Sequence, residues 1–296
     1  VKIFGAGLAG LLAANIFQRA TVLEAGAQQQ VNHRAVLRFR SSAVGDAVGV
    51  EFRPVTVHKG VWSGGGFIAP TIRAANQYSL KVIGRLADRS IWNLDPAQRF
   101  IAPRDLVAQM AERCASRIAW NTPATASNVG DDDVISTIPM PALSRGILKN
   151  NDAPEFKFSP IRVQRWTVAN ADVFQTIYFP DPDTAVYRAS ITGDLLIVES
   201  INGLLAPVDV EEVFRAFGFA HAPEPLDSAR QQFGKIAPID DQWRRNFILR
   251  CTLMHRIYSV GRFATWRNIL LDDVLHDLAV VKRLISGGEY AAKRHS

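Results

Sequence analysis

The apolar positions follow different periods in different parts of the chain. Over residues 1–25, VKIFGAGLAGLLAANIFQRATVLEA, a short apolar run (Val1 to Phe4) meets a glycine cluster. It resumes as small and apolar residues (Leu11, Leu12, Ala13, Ala14, Ile16, Phe17) and closes on a second run, TVLEA. That order predicts a strand, a tight turn, a helix that looks one turn short, and a second strand ending in an acid. Residues 70–95 look helical and partly apolar. APRDLVAQMAERCA (102–115) predicts a helix, with Pro103 and Asp105 near its start and Leu106, Val107, Met110 and Ala111 on one face. After RIAWNTPAT and an acidic turn, VISTIPMP (134–141) predicts a buried strand. Between 160 and 201 the period changes to two: RVQRWTVA, VFQTIYFP, AVYRASITGD and LLIVESI alternate and are separated by turn residues. This predicts an antiparallel sheet of about four strands, and because no helices separate them it forms a second layer or domain. VDVEEVFRAFGF (208–219) predicts an amphipathic helix on that layer. IYSVGRFATWRNILLDDVLHDLAVVKRLI (257–285) predicts a strand, a Gly-Arg aromatic loop, and a helix beginning near Asp272 and Asp273.

Composition narrows the class without naming a chemistry. A chain of 296 residues, 48% hydrophobic and 21% charged, buries a large core in one or two domains. No apolar run reaches the length of a membrane span. The apolar start lacks a basic leader, so a signal peptide is not expected, and neither is membrane association. Two distant cysteines, Cys114 and Cys251, exclude a zinc ribbon and an adjacent-cysteine redox centre, and they suit a reducing cytoplasm. The histidines form no ligand cluster, so no metal is expected. The formal charge of +6 is spread along the chain, as in HRAVLRFR (33–40), QRWT (164–167) and QWRRN (242–246). It fits a solvated basic surface and permits a polyanionic partner.

The glycine turn carries the first specific chemistry. Gly5, Gly7 and Gly10 match GxGxxG: one glycine for the tight turn, one for backbone approach to a pyrophosphate, one for close packing of helix on strand. The anion then sits on N–H groups at the helix N-terminus, so Gly5, Ala6, Gly7, Leu8, Ala9 and Gly10 are candidate cofactor contacts. Glu24, followed by Ala25, stands where a ribose-binding acid is expected.

Three stretches together, residues 1–25, 134–141 and 257–285, resemble the glutathione-reductase-type FAD oxidoreductases, in the branch holding amine oxidases and UDP-galactopyranose mutase. The resemblance implies FAD and an α/β fold: a Rossmann-like FAD-binding domain (1–60, 100–145 and 235–296) and a substrate domain (61–99 and 146–234) containing an antiparallel sheet. It adds Arg40, Ser41, Thr137, Gly261, Arg262, Trp266 and Asn268 to the expected FAD contacts. It also implies that the last helix points its N-terminus at the flavin, whose reduced form is anionic. The chain has no second GxGxxG, so no dedicated NADPH domain is expected.

RFRSSAVGDAVGVEFRPVTVHKGVW, with ISTIPMP, GKIAPID and YSVGRFATW, is similar to phage FAD-dependent lyases of thymidine hypermodification. That similarity implies oxidation of a glycyl C–N bond on a modified thymidine in DNA. The products are glyoxylate and 5-aminomethyl-deoxyuridine. The alternatives are a small-molecule amine or amino-acid oxidase, a redox-neutral flavin mutase, and a flavin-binding scaffold. For an amine substrate the candidate catalytic residues are Lys59, His58 and Arg40, and strand alternation sends Lys59 and His58 to opposite faces. Arg40, Arg53, Arg165 and Arg188 are candidate carboxylate clamps, and Arg34 and Arg38 share the same arginine-rich segment. Trp62, Trp166 and Tyr187 are candidate walls for a substrate or a flipped base. SGGGF (63–67) marks a flexible loop that could approach a ligand.

Overall fold

A computed structural model describes residues 1–28, 37–88, 90–130, 132–201, 203 and 205–294, so Arg34 lies outside the described residues. Among these, five short parallel strands make the first sheet: β1 (Lys2–Phe4), β2 (Thr21–Leu23), β7 (Ile118–Ala119), β8 (Val134–Ser136) and β14 (Ile257–Ser259). Their order is β14-β8-β1-β2-β7. The strands are apolar because helices cover both faces. Alternation sends Ile3 and Ile135 to a core with α1 (Leu8–Ile16), α2 (Ala43–Val48), α4 (Leu106–Arg113) and α7 (Leu271–Arg294). It sends Phe4, Val134 and Ile257 to the opposite core, with Phe247 and Cys251 of α6 (Asp241–His255) and Trp266.

The first helix is as short as its sequence suggests, nine residues. The Arg117 guanidinium donates to the carbonyls of Ala14, Phe17 and Ala20 at 3.0, 3.3 and 3.1 Å, closing the C-terminal end where Arg19 and Ala20 turn into β2.

The second sheet is built from β3 (Arg38–Phe39), β4 (Arg53–Ser63), β5 (Gly66–Ile68), β6 (Ala97–Ile101), β9 (Phe158–Thr167), β10 (Val173–Tyr178), β11 (Val186–Gly193), β12 (Leu195–Ile201) and β13 (Glu224–Ile236). The order is β13-β9-β12-β11-β10-β4-β6-β3, with β5 on β4. The four strands between 158 and 201 match the alternating segments of the sequence, and their contacts with one another are antiparallel. Strand β10 meets β4 in parallel, and β4 crosses residue 60, where the sequence reading draws a boundary. One face packs Val61, Val163 and Tyr187 against Tyr78 and Val82 of α3 (Ile72–Ile83). The other packs Trp62, Trp166 and Ile177 against Val213 of α5 (Pro207–Phe217).

SGGGF is a hairpin turn rather than a ligand loop. Gly64 and Gly65 both have positive φ, 61° and 79°, which a two-residue turn between twisted strands requires, and Ser63 pairs with Gly66 across it. The 70–95 stretch is helical only to Ile83, where Gly84 ends α3 in the left-handed conformation; a short 3₁₀ turn follows at Ser90–Trp92.

Candidate functional site

The C-terminal ends of β1 and β2 build the cradle. Gly5 has φ 93° and donates its N–H to Leu23 O at 2.8 Å, which bends the chain sharply off β1. Thr137 donates its hydroxyl to Phe4 O at 2.8 Å, tying β8 to the turn. A Cβ on Gly10 would lie 1.9 Å from Gly5 O, so the third glycine is needed for packing. A Cβ on Gly7 would meet nothing within 4 Å: this glycine faces open space at the N-terminus of α1, which no side chain caps. Helix and turn therefore leave room and donors for an anion.

Glu24 closes the cradle from β2. Its Oε2 accepts from Ala6 N at 2.5 Å and its Oε1 from Gly26 N at 2.7 Å. Each carboxylate oxygen keeps further lone-pair capacity, so the acid can hold the turn and accept a sugar hydroxyl. The other side comes from the loop after β14. Gly261 has φ 96°, and a Cβ there would come within 2.9 Å of Ala9 Cβ. Arg262 donates to Gly234 O at 3.2 Å, and Asn268, Leu271 and Val274 continue along the start of α7.

These pieces open into a cavity of about 1500 Å³ running from the glycine turn to the second sheet. The sheet wall carries four basic residues, Arg38, Lys59, Arg99 and Arg188, with Thr176, Tyr178, Ser190 and Glu199, beside apolar Val57, Ile161 and Phe233. Arg188 and Glu199 are cross-strand partners joined by an ion pair. Burial opposes ionisation of Glu199, but Arg188 and Lys235 outweigh it and hold the carboxyl below its ordinary range. Arg38 is held by Thr176 Oγ1 (2.6 Å), Ile191 O (2.6 Å), Gln175 O (3.1 Å) and Thr192 Oγ1 (2.8 Å), all neutral oxygens. Burial, then Arg188, pushes its pKa down to about 10. Lys59 is likewise lowered by burial and by Arg99.

Of the residues expected from sequence, Gly5, Gly7, Leu8, Ala9, Glu24, Ala25, Lys59, Thr137, Gly261, Arg262 and Asn268 line this cavity. Ala6 and Gly10 support the turn from behind it. Arg40 and Ser41 do not line it. Their backbone N–H groups bind Asp272 Oδ1 at 3.0 and 3.2 Å, and the Arg40 side chain pairs with Asp273. Trp266 is buried in the core behind the cradle, its indole donating to Ala237 O at 2.9 Å. His58 is exposed on the face of β4 away from Lys59. Of the four arginines weighed as clamps, Arg188 alone reaches the cavity; Arg53 pairs with Asp172 and Arg165 with Asp227. Trp62, Trp166 and Tyr187 pack in the cores of the second sheet and do not wall the cavity.

Arg99 and Glu199 are cavity residues that sequence reasoning missed, and Arg38 appeared there only as part of an arginine-rich loop. Glu199 left one signal, an acid inside the apolar run LLIVESI. Among the described residues no group of three histidine, cysteine, aspartate or glutamate side chains could hold a metal. Among them, too, no helix is long and apolar enough to cross a membrane.

A parallel sheet with a glycine turn at its switch point, joined by a cavity to a larger mostly antiparallel sheet, defines a Rossmann-type fold. Comparison with solved structures agrees. Reduced UDP-galactopyranose mutase is similar at a TM-score of 0.70 and 15% identity, over 96% of this chain and 93% of that one. An oxidoreductase from Methanosarcina mazei is similar at 0.54 and 11%, over 88% of this chain and 94% of that one. The rebeccamycin biosynthetic enzyme RebC with reduced flavin is similar at 0.50 and 12%, over 88% of this chain and 55% of that one. No protein-family model matches the sequence, and no curated protein matches it.

Proposed function

We propose that the chain is an FAD-dependent oxidoreductase that oxidises the C–N bond of an amine, with a glycyl-modified thymidine in DNA as the best-fitting substrate. The observation that supports this reading is the cavity that joins the glycine turn to the second sheet. At about 1500 Å³ it exceeds the roughly 300–1000 Å³ of a pocket for one small ligand, so cofactor and substrate fit together. The turn at Gly5–Ala9 would take the pyrophosphate and Glu24 the ribose, while Gly261, Asn268 and the start of α7 would border the flavin. When bound, FAD would supply the hydride acceptor. The chain's own part is to hold the amine against the sheet wall, exclude water until the bond is oxidised, and keep the amine neutral. The positive charge of Lys59 and Arg99 favours that neutral amine.

The net charge of +6 supports a DNA-borne substrate, whose target base must leave the stack to reach a concave site. A second reading, a redox-neutral mutase acting on a sugar nucleotide, is favoured by the fold similarity to UDP-galactopyranose mutase along nearly its whole length.

The visible spectrum tests these readings. The purified protein is expected to be yellow, and anaerobic addition of glycyl-modified DNA is expected to bleach the flavin band. Bleaching by sarcosine alone would move the reading to a small-molecule oxidase. UDP-galactopyranose turnover by the reduced protein would favour the mutase. A colourless protein that takes up no FAD would remove all three.

A further inference from the structure

The sheet wall of the cavity carries more positive charge than its own acids neutralise. Four cations reach it from four strands: Arg38 from β3, Lys59 from β4, Arg99 from β6 and Arg188 from β11. The acid among them, Glu199, is already paired with Arg188. Among the described residues, no carboxylate forms a salt bridge with Arg38, Lys59 or Arg99. Like charges meet here: Arg99 depresses Lys59 after burial, with Asp95 acting against it, and Arg188 and Arg99 depress Arg38 after burial, with Tyr178 and Glu199 acting against them. Clustered cations of this kind oppose folding unless something anionic compensates them.

The hydrogen bonding shows which of them have donors to spare. Arg38 is nearly saturated by the ends of β10 and β11, so it contributes a fixed charge more than a contact. Among the described residues Lys59 gives one bond, to Asn93 O at 3.0 Å, and Arg99 one, to Gln98 O at 2.6 Å, which leaves both with further N–H donors. Thr176, in register with Lys59 on the next strand, and Ser190, its hydroxyl partner at 3.0 Å, add neutral hydroxyls beside them.

We propose that this strip is a subsite for an oxyanion on the substrate, with Lys59 and Arg99 making the contacts and Arg38 supplying charge behind them. The proposal rests on the flavin reading only for what fills the glycine-turn end of the cavity. A carboxylate next to the amine, or a phosphate ester, would satisfy the same donors.

Calorimetric titration of the purified holoprotein with glycolate, and separately with inorganic phosphate, tests it. Saturable binding is expected, weakened about tenfold or more in Lys59→Met and in Arg99→Met, as loss of a charge-assisted hydrogen bond predicts. Flavin content should stay at the wild-type value, and the thermal midpoint without added anion should not fall. Arg53→Ala, on the same strand but paired with Asp172 outside the cavity, should bind as wild type. Tighter glycolate identifies a carboxylate substrate, and tighter phosphate a phosphate ester. Absence of binding for both anions would overturn the proposal. So would variants that bind anions normally, or that lose flavin instead. If the protein carries no flavin yet binds an anion through Lys59 and Arg99, the subsite stands and the flavin reading falls.

Discussion

The glycines of GAGLAG are not interchangeable, and the difference separates folding from ligand binding. Gly10→Ala places a methyl 1.9 Å from a backbone oxygen that cannot rotate away, so α1 must shift off β1. A loss of about 1–3 kcal/mol or more is expected, read as a lower thermal midpoint. Gly7→Ala meets nothing within 4 Å and has φ −67°, so the midpoint without cofactor should change little. Its methyl enters the space an anion would occupy, and FAD titration should show weaker binding. Equal effects of the two variants on the midpoint would contradict this division. At this scale the turn was legible because its spacing is a backbone requirement. The arginines were not. Arg38 and Arg40 sit two residues apart in RFR, yet Arg38 is anchored by Thr176, Ile191 and Thr192, about 140 to 154 residues away, while Arg40 turns out to Asp273. Nothing local distinguishes them.

Strands with period-two alternation and helices with a broad apolar stripe were readable as elements. Two long elements left no such mark. Strand β13 lies at the edge of the second sheet and is mostly polar, since an edge strand buries little. Helix α6 buries only Phe247 and Cys251, too narrow a stripe to stand out among its arginines. Between elements, the Arg188–Glu199 pair locks β11 to β12 inside the wall of the cavity. Glu199→Gln leaves Arg188 without its counter-charge, and a loss of about 3–5 kcal/mol is expected in denaturant unfolding. Replacing both with leucine should lose much less, because neither charge is then stranded. A double variant as unstable as the single one would show that the pair acts by some route other than compensation.

At the scale of the molecule, the glycine turn and the change of period near residue 160 pointed to an α/β chain with a separate antiparallel layer, but not to β3–β6 of that layer, which come before residue 102. The cavity between the sheets did not follow, because its walls come from turns and strand ends that only the tertiary arrangement brings together. The basic surplus makes one further prediction for the whole protein. Affinity for duplex DNA should fall with salt, the logarithmic slope steepening by about 0.9 for each phosphate neutralised. Binding that ignores salt, or no binding at low salt, would take DNA out of the reading and leave the small amine.

The position of β14 fixes when the cradle can exist during synthesis. The first strand and the glycine turn leave the ribosome well before residues 257–259, and β8 remains an open edge until those residues pair with it. Gly261 then meets Ala9, and Val274 joins the same core. A nascent chain therefore carries its glycine turn with one wall missing until β14 emerges. Any ligand the turn takes would be captured only after β14 has paired, and a product cut short before residue 257 would expose an apolar strand edge, inviting aggregation instead of binding.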